Sequence, residues 1–564
     1  MKKEIEILKS KFKKYNIDGY VVPKNDDYFN DYSKINRLKT ISNFSGSAGL
    51  AIILKKKNLL FVDGRYTIQS QIESGKHFKI LGYEKLLNLN FFKNLVLGVD
   101  PALMTYSQIK KFFFKNNKLK FIKKNLIDEI KKPRVEKIHN FFSLKNDIVG
   151  ENREKKIIKI SKHLKKNKCD YLFVSAPENV AWALNIRGKD SSNSPIPNAR
   201  LLISKSKKIL LIAKIEKCKK ILKERVVSSN EIIDINNFSK KILDLKGKSF
   251  IIDEKSCSIF YEDLIKSKFK ISSRKDPIYF LKAIKNKTEI KNMIKAHVSD
   301  GVALTKFLYW IKKINKKKIT EVQAQNRLER FRRMSKNYLY PSFDTIAGSG
   351  KNGAIIHYRA NKQNCRTIKK KDIFLCDSGG QYKYGTTDVT RTICFSNPDQ
   401  NIKNLYTKVL KGHIAVATSD LKKDNIGKKI DIRARKFLKR KKLDYAHGTG
   451  HGVGFFLNVH EGPQSISKMN MVKLKEGMIL SNEPGYYKKD KFGIRIENLV
   501  YIKKTNNKIF FENLTFAPVE KDLINFKMLD LLEKNYLFRY HLNVYEKISK
   551  YLKVEERKWL ASLI

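Results

Sequence analysis

Cysteine is scarce and unpatterned in this chain. Its 564 residues include six, Cys169, Cys218, Cys257, Cys365, Cys376 and Cys394, and no two of them form a C-x-x-C pair. That spacing excludes a zinc ribbon and a thioredoxin-like redox motif. Scattered thiols in a chain of this length suit a reducing cytosol, so a cytoplasmic location is expected. No apolar run approaches the length of a membrane span. The opening stretch, MKKEIEILKSKFKKYNIDGYVVP, carries charge but no apolar h-region, so it does not read as a signal peptide. Acidic residues are few as well: 55 Asp+Glu stand against 118 Lys+Arg, a formal charge of +63. Such a charge suggests nucleic acid or an anionic membrane as a partner. Yet the excess is mostly Lys, spread through every region beside many Asn and Ile, as an A+T-biased coding composition produces. There is no basic helix, zinc knuckle or RNA-binding signature. The expectation is therefore no specific nucleic acid and no membrane partner, although nonspecific, salt-sensitive DNA affinity would follow from the charge alone.

What is present is enough apolar material, 41% of the residues, for several cores. Residues 2–15 read as an amphipathic helix with Ile5, Leu8 and Phe12 on one face. Strands are predicted at Asp18–Pro23, Gly46–Leu54 and Leu59–Val62, the last two joined by the turn Lys55–Asn58, and Asp63-Gly-Arg65-Tyr66 leads into a helix. The same order returns after residue 149: a charged helix (Glu151–Lys165), a strand (Cys169–Val174), the stretch Glu178–Gly188, then strands at Ala199–Ser204 and Lys208–Ala213. The repeat rests on element order and implies two α/β domains of common origin. Asp276-Pro277 marks a boundary. A long helix begins at Asn286, with Thr288 as its N-cap, and opens a third domain reaching about residue 505. A strand (Ile509–Phe516) and two helical segments (Phe526–Glu533, Leu537–Leu552) complete the chain; their apolar positions suggest packing on the third domain or on another subunit. The expected division is 1–148, 149–285, 286–505 and 506–564.

The residues suited to chemistry lie in the third domain. Asp377 ends a buried-looking strand, Asp372–Asp377, and Asp388 begins another, Asp388–Phe395. Gly379, Gly380 and Gly385 lie between them, as a hairpin requires. A hairpin brings the two carboxylates close, where they repel unless a cation or a proton intervenes. His447-Gly-Thr-Gly-His451-Gly-Val-Gly follows. Four glycines do not fit a zinc-binding helix, so one His is expected to bind metal and the other to stand in the outer shell or touch substrate. Glu483, before Pro484-Gly485, and Glu497, after Ile494-Arg495-Ile496, complete an ordered set of Asp, Asp, His, Glu, Glu on strand ends and turns. It reads as a two-metal site of hard oxygen donors with one imidazole.

This ordered set resembles the pita-bread metallopeptidases, the family of methionine aminopeptidase, prolidase and aminopeptidase P. The resemblance is carried by Gly353-Ala-Ile-Ile-His357-Tyr358, Asp377-Ser-Gly-Gly-Gln-Tyr, Gly385–Thr392, His447–Gly454, Leu457–Pro463, Glu483-Pro-Gly-Tyr-Tyr487 and Gly493–Asn498. It extends to Phe44–Gly49, Asp63–Tyr66 and Asn185–Gly188, and so covers essentially the whole chain. Gly380, where alanine is common, is a departure that touches no ligand. The resemblance implies an α/β (α+β) chain: two creatinase-like N-terminal α/β domains, a pita-bread catalytic domain and a short C-terminal extension. It implies that Asp377, Asp388, His451, Glu483 and Glu497 hold two divalent ions, with Asp388 and Glu497 bridging. Four carboxylates balance two such ions, and the oxygen-rich set favours Mn²⁺. It further implies Glu483 as general base for a water shared by the ions, His357 and His460 around the substrate, and His447 beside the ligand shell. Arg495 would orient a metal-binding carboxylate, and Arg65 would touch substrate from the N-terminal domain. The implied reaction is hydrolysis of the first bond of Xaa-Pro peptides, by a homodimer. The rivals are a prolidase, restricted to Xaa-Pro dipeptides, and a non-catalytic peptide-binding scaffold, which would be expected to lose metal ligands.

Overall fold

The computed structural model describes residues 1–87, 93–113, 117–133, 137–313 and 318–564. They form two compact units, Met1–Leu281 and Lys282–Ile564.

The N-terminal unit contains the same sheet twice. In the first, the strands run Lys79–Gly82, Asn58–Val62, Leu50–Leu54, Gly19–Pro23, Leu95–Val99, Asn117–Phe121. In the second they run Ile232–Asp234, Ile209–Ala213, Arg200–Ser204, Tyr171–Val174, Ser249–Ile252, Lys270–Ser273. Each sheet has one antiparallel neighbour on one side of its central strand, Leu50–Leu54 or Arg200–Ser204, and a parallel neighbour on the other, Leu95–Val99 or Ser249–Ile252. The central strands are buried along most of their length, which explains their continuous apolar sequences. The helix expected at residues 2–15 is shorter, Lys2–Ser10, with Ile5 and Leu8 facing the core. The helix expected from Glu151 spans Arg153–Lys166. The Asn152 side chain accepts the Lys155 N–H at its start, and Ile157, Ile160 and Leu164 are buried at helical spacing.

The C-terminal unit opens with the helix Lys287–Lys313. Its cap is Asn286 rather than Thr288: the Asn286 side chain accepts the N–H groups of Thr288 and Glu289, which leaves Thr288 inside the first turn. Two sheets follow. A three-stranded one joins Ile346–Ser349, Ile373–Ser378 and Val389–Cys394. A five-stranded one runs Glu461–Ile466, Gly450–Gly452, Ile479–Asn482, Asn498–Thr505, Lys508–Asn513. The helices Gln400–Ala417 and Gly427–Lys439 pack on each other. The chain's end differs from expectation. Phe526–Met528 is a single 3-10 turn, Asp530 caps a helix over Leu531–Ile548 with Glu533 completing a capping box, and a last helix spans Val554–Ala561. This end packs on its own unit: Leu537, Tyr540, Val544 and Ile548 share a core with Leu405, Val409, Ile494 and Ile496.

Arg391 ties that extension to the central strands. Its guanidinium is buried and donates to the carbonyls of Thr390, Glu497, Ala517 and Pro518 and to the Asn498 and Tyr540 side chains, at 2.7–2.9 Å. A buried cation is tolerable because every direction of its planar fork meets an acceptor.

Candidate metal centre

The hairpin expected from the two aspartates exists. Ile373–Ser378 pairs antiparallel with Val389–Cys394, Asp377 lying opposite Thr390, and Asp388 immediately precedes the second strand. Glu483 follows Ile479–Asn482, His451 is central in Gly450–Gly452, and Glu497 bridges Phe492–Arg495 and Asn498–Thr505. All five residues therefore sit at strand ends or in short strands, where a fixed backbone aims short side chains at one point.

The donors converge. One ligand atom each from Asp388, His451 and Glu497 lies within 4.8 Å of the others. His451 Nε2 is 3.4 Å from Asp388 Oδ2 and 3.6 Å from Glu483 Oε1. His451 Nδ1 stands 2.9 Å from the Gly452 carbonyl; an N–H there leaves Nε2 as a lone pair aimed at carboxylate oxygens. Burial pushes the Asp388 carboxyl well above the usual range, and the Asp377 and Glu483 charges add to it. Glu497 is raised likewise, by burial first and then by Asp388, Glu483 and Asp377. Asp377 Oδ1 is buried with no hydrogen-bond partner. A lone pair facing carboxylates, two carboxyls forced toward neutrality and an orphaned buried oxygen are what divalent cations would relieve. The residue set fits them.

Outer contacts hold this geometry. Arg495 donates to Asp377 Oδ2 at 2.6 Å and to the Tyr487 hydroxyl at 2.6 Å. Burial pushes the Tyr487 hydroxyl up to about 12, so it keeps its proton, and it stands 2.8 Å from His447 Nε2. Thr390 donates to Glu497 Oε2 at 2.7 Å, and Ser481 to Glu483 Oε1 at 3.0 Å. His447 Nδ1 is 3.9 Å from Glu483 Oε2. The His460 ring lies 4.5 Å from that of His451. The next residue, Glu461, is buried and held by Lys282 at 2.9 Å and by Lys285.

Thus His447, His460 and Arg495 join the five carboxylate and imidazole donors. His357 lies on a separate segment, partly buried after the turn Gly350–Ala354. Its neighbour Tyr358 donates to the buried Glu321 carboxylate, which also takes the Asn352 amide and the N–H groups of Ser349 and Arg366. Arg65 belongs to the N-terminal unit, where Asp63 holds its guanidinium at 2.8–2.9 Å. Sequence reasoning singled out none of Tyr487, Thr390, Ser481, Glu321 or Glu461 for a role. Tyr487, Thr390 and Glu461 lie within motifs that carry the resemblance, Glu483–Tyr487, Gly385–Thr392 and Leu457–Pro463, but nothing in those motifs marks them individually.

Comparison with known proteins agrees with this geometry. Metallopeptidase family M24 matches residues 291–504, the Creatinase/Prolidase N-terminal domain matches 131–289, and the C-terminal region of peptidase M24 matches 508–563. The chain is 37% identical to a probable Xaa-Pro aminopeptidase P of Laccaria bicolor, over 98% of this chain and 91% of that one. It is 36% identical to Xaa-Pro aminopeptidase 1 of Dictyostelium discoideum, over 97% and 93%. The crystal structure of X-prolyl aminopeptidase from Caenorhabditis elegans, a cytosolic enzyme with a di-nuclear active site, superimposes with a TM-score of 0.91 at 28% identity, covering 100% of this chain and 98% of that one. With carboxylates and imidazole converging on one point and relatives matched from end to end, the chain belongs to metallopeptidase family M24, in its Xaa-Pro aminopeptidase P branch.

Proposed function

We propose that the chain is a metal-dependent aminopeptidase that releases the N-terminal residue from peptides with proline in second position. The observation that carries this is the convergence of Asp388, His451 and Glu497 beside Asp377 and Glu483. In this reading Asp377, Asp388, His451, Glu483 and Glu497 would together hold two divalent ions. The hard, oxygen-rich donor set favours Mn²⁺. Ions bound there supply Lewis-acid polarisation of the scissile carbonyl and activation of water.

The chain's own residues do the rest. Glu483 is the most exposed of the four carboxylates, its side chain 17% accessible, and it is the general base that takes the water's proton, a contribution of about 10²–10⁴-fold. Arg495, anchored by Tyr487, keeps the Asp377 carboxylate oriented. His460, against His451, and His357 face the substrate, and one of them hands a proton to the proline nitrogen as it leaves. That nitrogen bears no N–H before cleavage, so recognition cannot use one. Arg65 contacts substrate in the same reading, and His447 is a further substrate-side group. The division at 148, 285 and 505 is part of the proposal; the repeated sheet order supports the first boundary, and the family matches over 131–289, 291–504 and 508–563 support the other two. A cytoplasmic location and a homodimeric state are carried with it.

A prolidase is the second reading, because it would use the same donor set. End-to-end similarity to Xaa-Pro aminopeptidases weighs against it. Incubating the Mn²⁺-loaded protein with Arg-Pro-Pro and with Ala-Pro separates them. Release of arginine from the tripeptide supports the aminopeptidase, whereas cleavage of the dipeptide alone overturns it in favour of prolidase.

A further inference from the structure

The His447-Gly-Thr-Gly-His451 turn has little means of holding its own shape. Its glycines carry no side chains to pack, and glycine is the most permissive residue of the backbone. Yet two imidazoles of the site hang from it. Its His451 end is held by the pairing of strand Gly450–Gly452 with its neighbours, and the His447–Thr449 part is gripped from the helix Gly427–Lys439. We propose that the buried pair Asp431–Arg435 on this helix positions the turn, and through it sets the reach of His451 toward the divalent ions; this rests on the metallopeptidase reading above.

The contacts are specific. Asp431 and Arg435 are four residues apart, so they share one helix face, and both are almost wholly buried in a chain whose cationic excess is otherwise mostly lysine. Asp431 Oδ2 accepts Arg435 Nε at 2.8 Å. The rest of the guanidinium is spent on the turn. Nη2 donates to the His447 carbonyl at 2.7 Å, and Nη1 donates to the Tyr445 carbonyl at 2.8 Å and to Asp444 at 2.6 Å. Its plane lies 3.9 Å over the Tyr445 ring, and that ring packs 4.8 Å from the His447 imidazole. The other oxygen of Asp431 accepts the Thr449 hydroxyl at 2.6 Å. The Thr449 carbonyl in turn accepts the N–H of Glu483 at 2.8 Å, and the N–H of His451 donates to Ser481 at 2.9 Å. One ion pair therefore grips the turn at Tyr445, His447 and Thr449, and its grip passes to the backbone of Glu483. A lysine could not replace Arg435, because a single ammonium cannot span these acceptors in their fixed planar arrangement.

The test uses full-length Arg435→Lys and Asp431→Asn proteins beside wild type. Three quantities are read: Mn²⁺ affinity of the metal-stripped protein by isothermal titration calorimetry, kcat and KM on Arg-Pro-Pro, and Tm. All binding and kinetics are run well below each variant's own Tm. Asp431→Asn preserves shape and an acceptor for Thr449 but sets an amide N–H against Arg435 Nε, so it keeps the test open should Arg435→Lys fail to fold. The expected result is a loss of about 10–100-fold in Mn²⁺ affinity and in kcat, with KM nearly unchanged. Folded variants that lose only Tm, with wild-type Mn²⁺ affinity and kcat, overturn the positioning role and leave the pair merely structural. Wild type that neither binds Mn²⁺ nor cleaves the peptide overturns the metallopeptidase reading beneath it, which separates the two failures.

Discussion

Arg495 donates to the Asp377 carboxylate across 2.6 Å, and the remaining Asp377 oxygen is buried without a hydrogen-bond partner. One oxygen is thus anchored while the other is presented to the site. Removing the anchor leaves a buried carboxylate free to turn. Arg495→Lys is expected to weaken Mn²⁺ binding by about 10–100-fold and to lower kcat comparably, read by calorimetric titration and steady-state kinetics. Wild-type affinity in the folded variant would show that Asp377 needs no such partner.

The path of the backbone at Gly450 is equally constrained. A Cβ there would stand 1.9 Å from the Ser481 carbonyl oxygen, and backbone cannot yield as a side-chain tip does. Gly450→Ala should force the His451 strand away from Ile479–Asn482, at a cost of about 1–3 kcal/mol. Activity should be lost even at temperatures where the variant remains folded. A thermal melt together with peptide cleavage checks both parts, and full activity would mean the site tolerates that displacement.

The C-terminal extension is held by a polar joint as well as by apolar packing. The Tyr540 hydroxyl donates to the Ala517 carbonyl at 2.6 Å and accepts from Arg391 at 2.9 Å. Tyr540→Phe leaves those buried partners short of one bond and should cost about 1–3 kcal/mol, seen as a lower denaturant midpoint. An unchanged midpoint would mean the joint contributes nothing to stability.

A pH dependence follows from His541. Burial lowers its pKa from 6.5 to about 4, and the Arg391 and Lys521 charges act in the same direction. Its Nε2 accepts the Val519 N–H at 3.1 Å, which requires the neutral ring. Because the folded pKa is depressed, the unfolded chain binds the extra proton between these values. The contribution is complete above about pH 6.5 and is lost as pH falls toward 4, amounting to ~3 kcal/mol. His541→Gln, which keeps an acceptor but does not titrate, should flatten the fall in unfolding free energy across that window. An unchanged slope would assign the acid sensitivity elsewhere.

Much of this was legible in the chain itself. The Asp377–Asp388 hairpin announces itself through apolar strands flanking glycines, and the donors follow at strand ends where local pattern is clearest. The repeated α/β order reads from alternating periodicity. Other features depend on partners distant in sequence. Asp431 and Arg435 look like two more charges on an amphipathic helix until the fold lays the His447 turn against them. Tyr486 and Tyr487 alternate on a strand, and nothing local says which one meets Arg495. Glu533, a good helix former, reads as the end of a helix, although with Asp530 it forms a capping box that marks the start of Leu531–Ile548. Thr288 lost the cap to Asn286 by the same ambiguity between neighbouring polar residues.

Whether Asp377, Asp388, His451, Glu483 and Glu497 hold catalytic divalent ions is decided by counting bound ions against turnover. Metal-stripped protein is titrated with Mn²⁺ while bound ion and arginine release from Arg-Pro-Pro are followed together, with Glu483→Ala alongside. The account predicts two ions per chain, cleavage that rises with their binding, and none in the variant. Folded protein that binds no Mn²⁺, Zn²⁺ or Co²⁺ at this site, or that cleaves equally well without them, would contradict it.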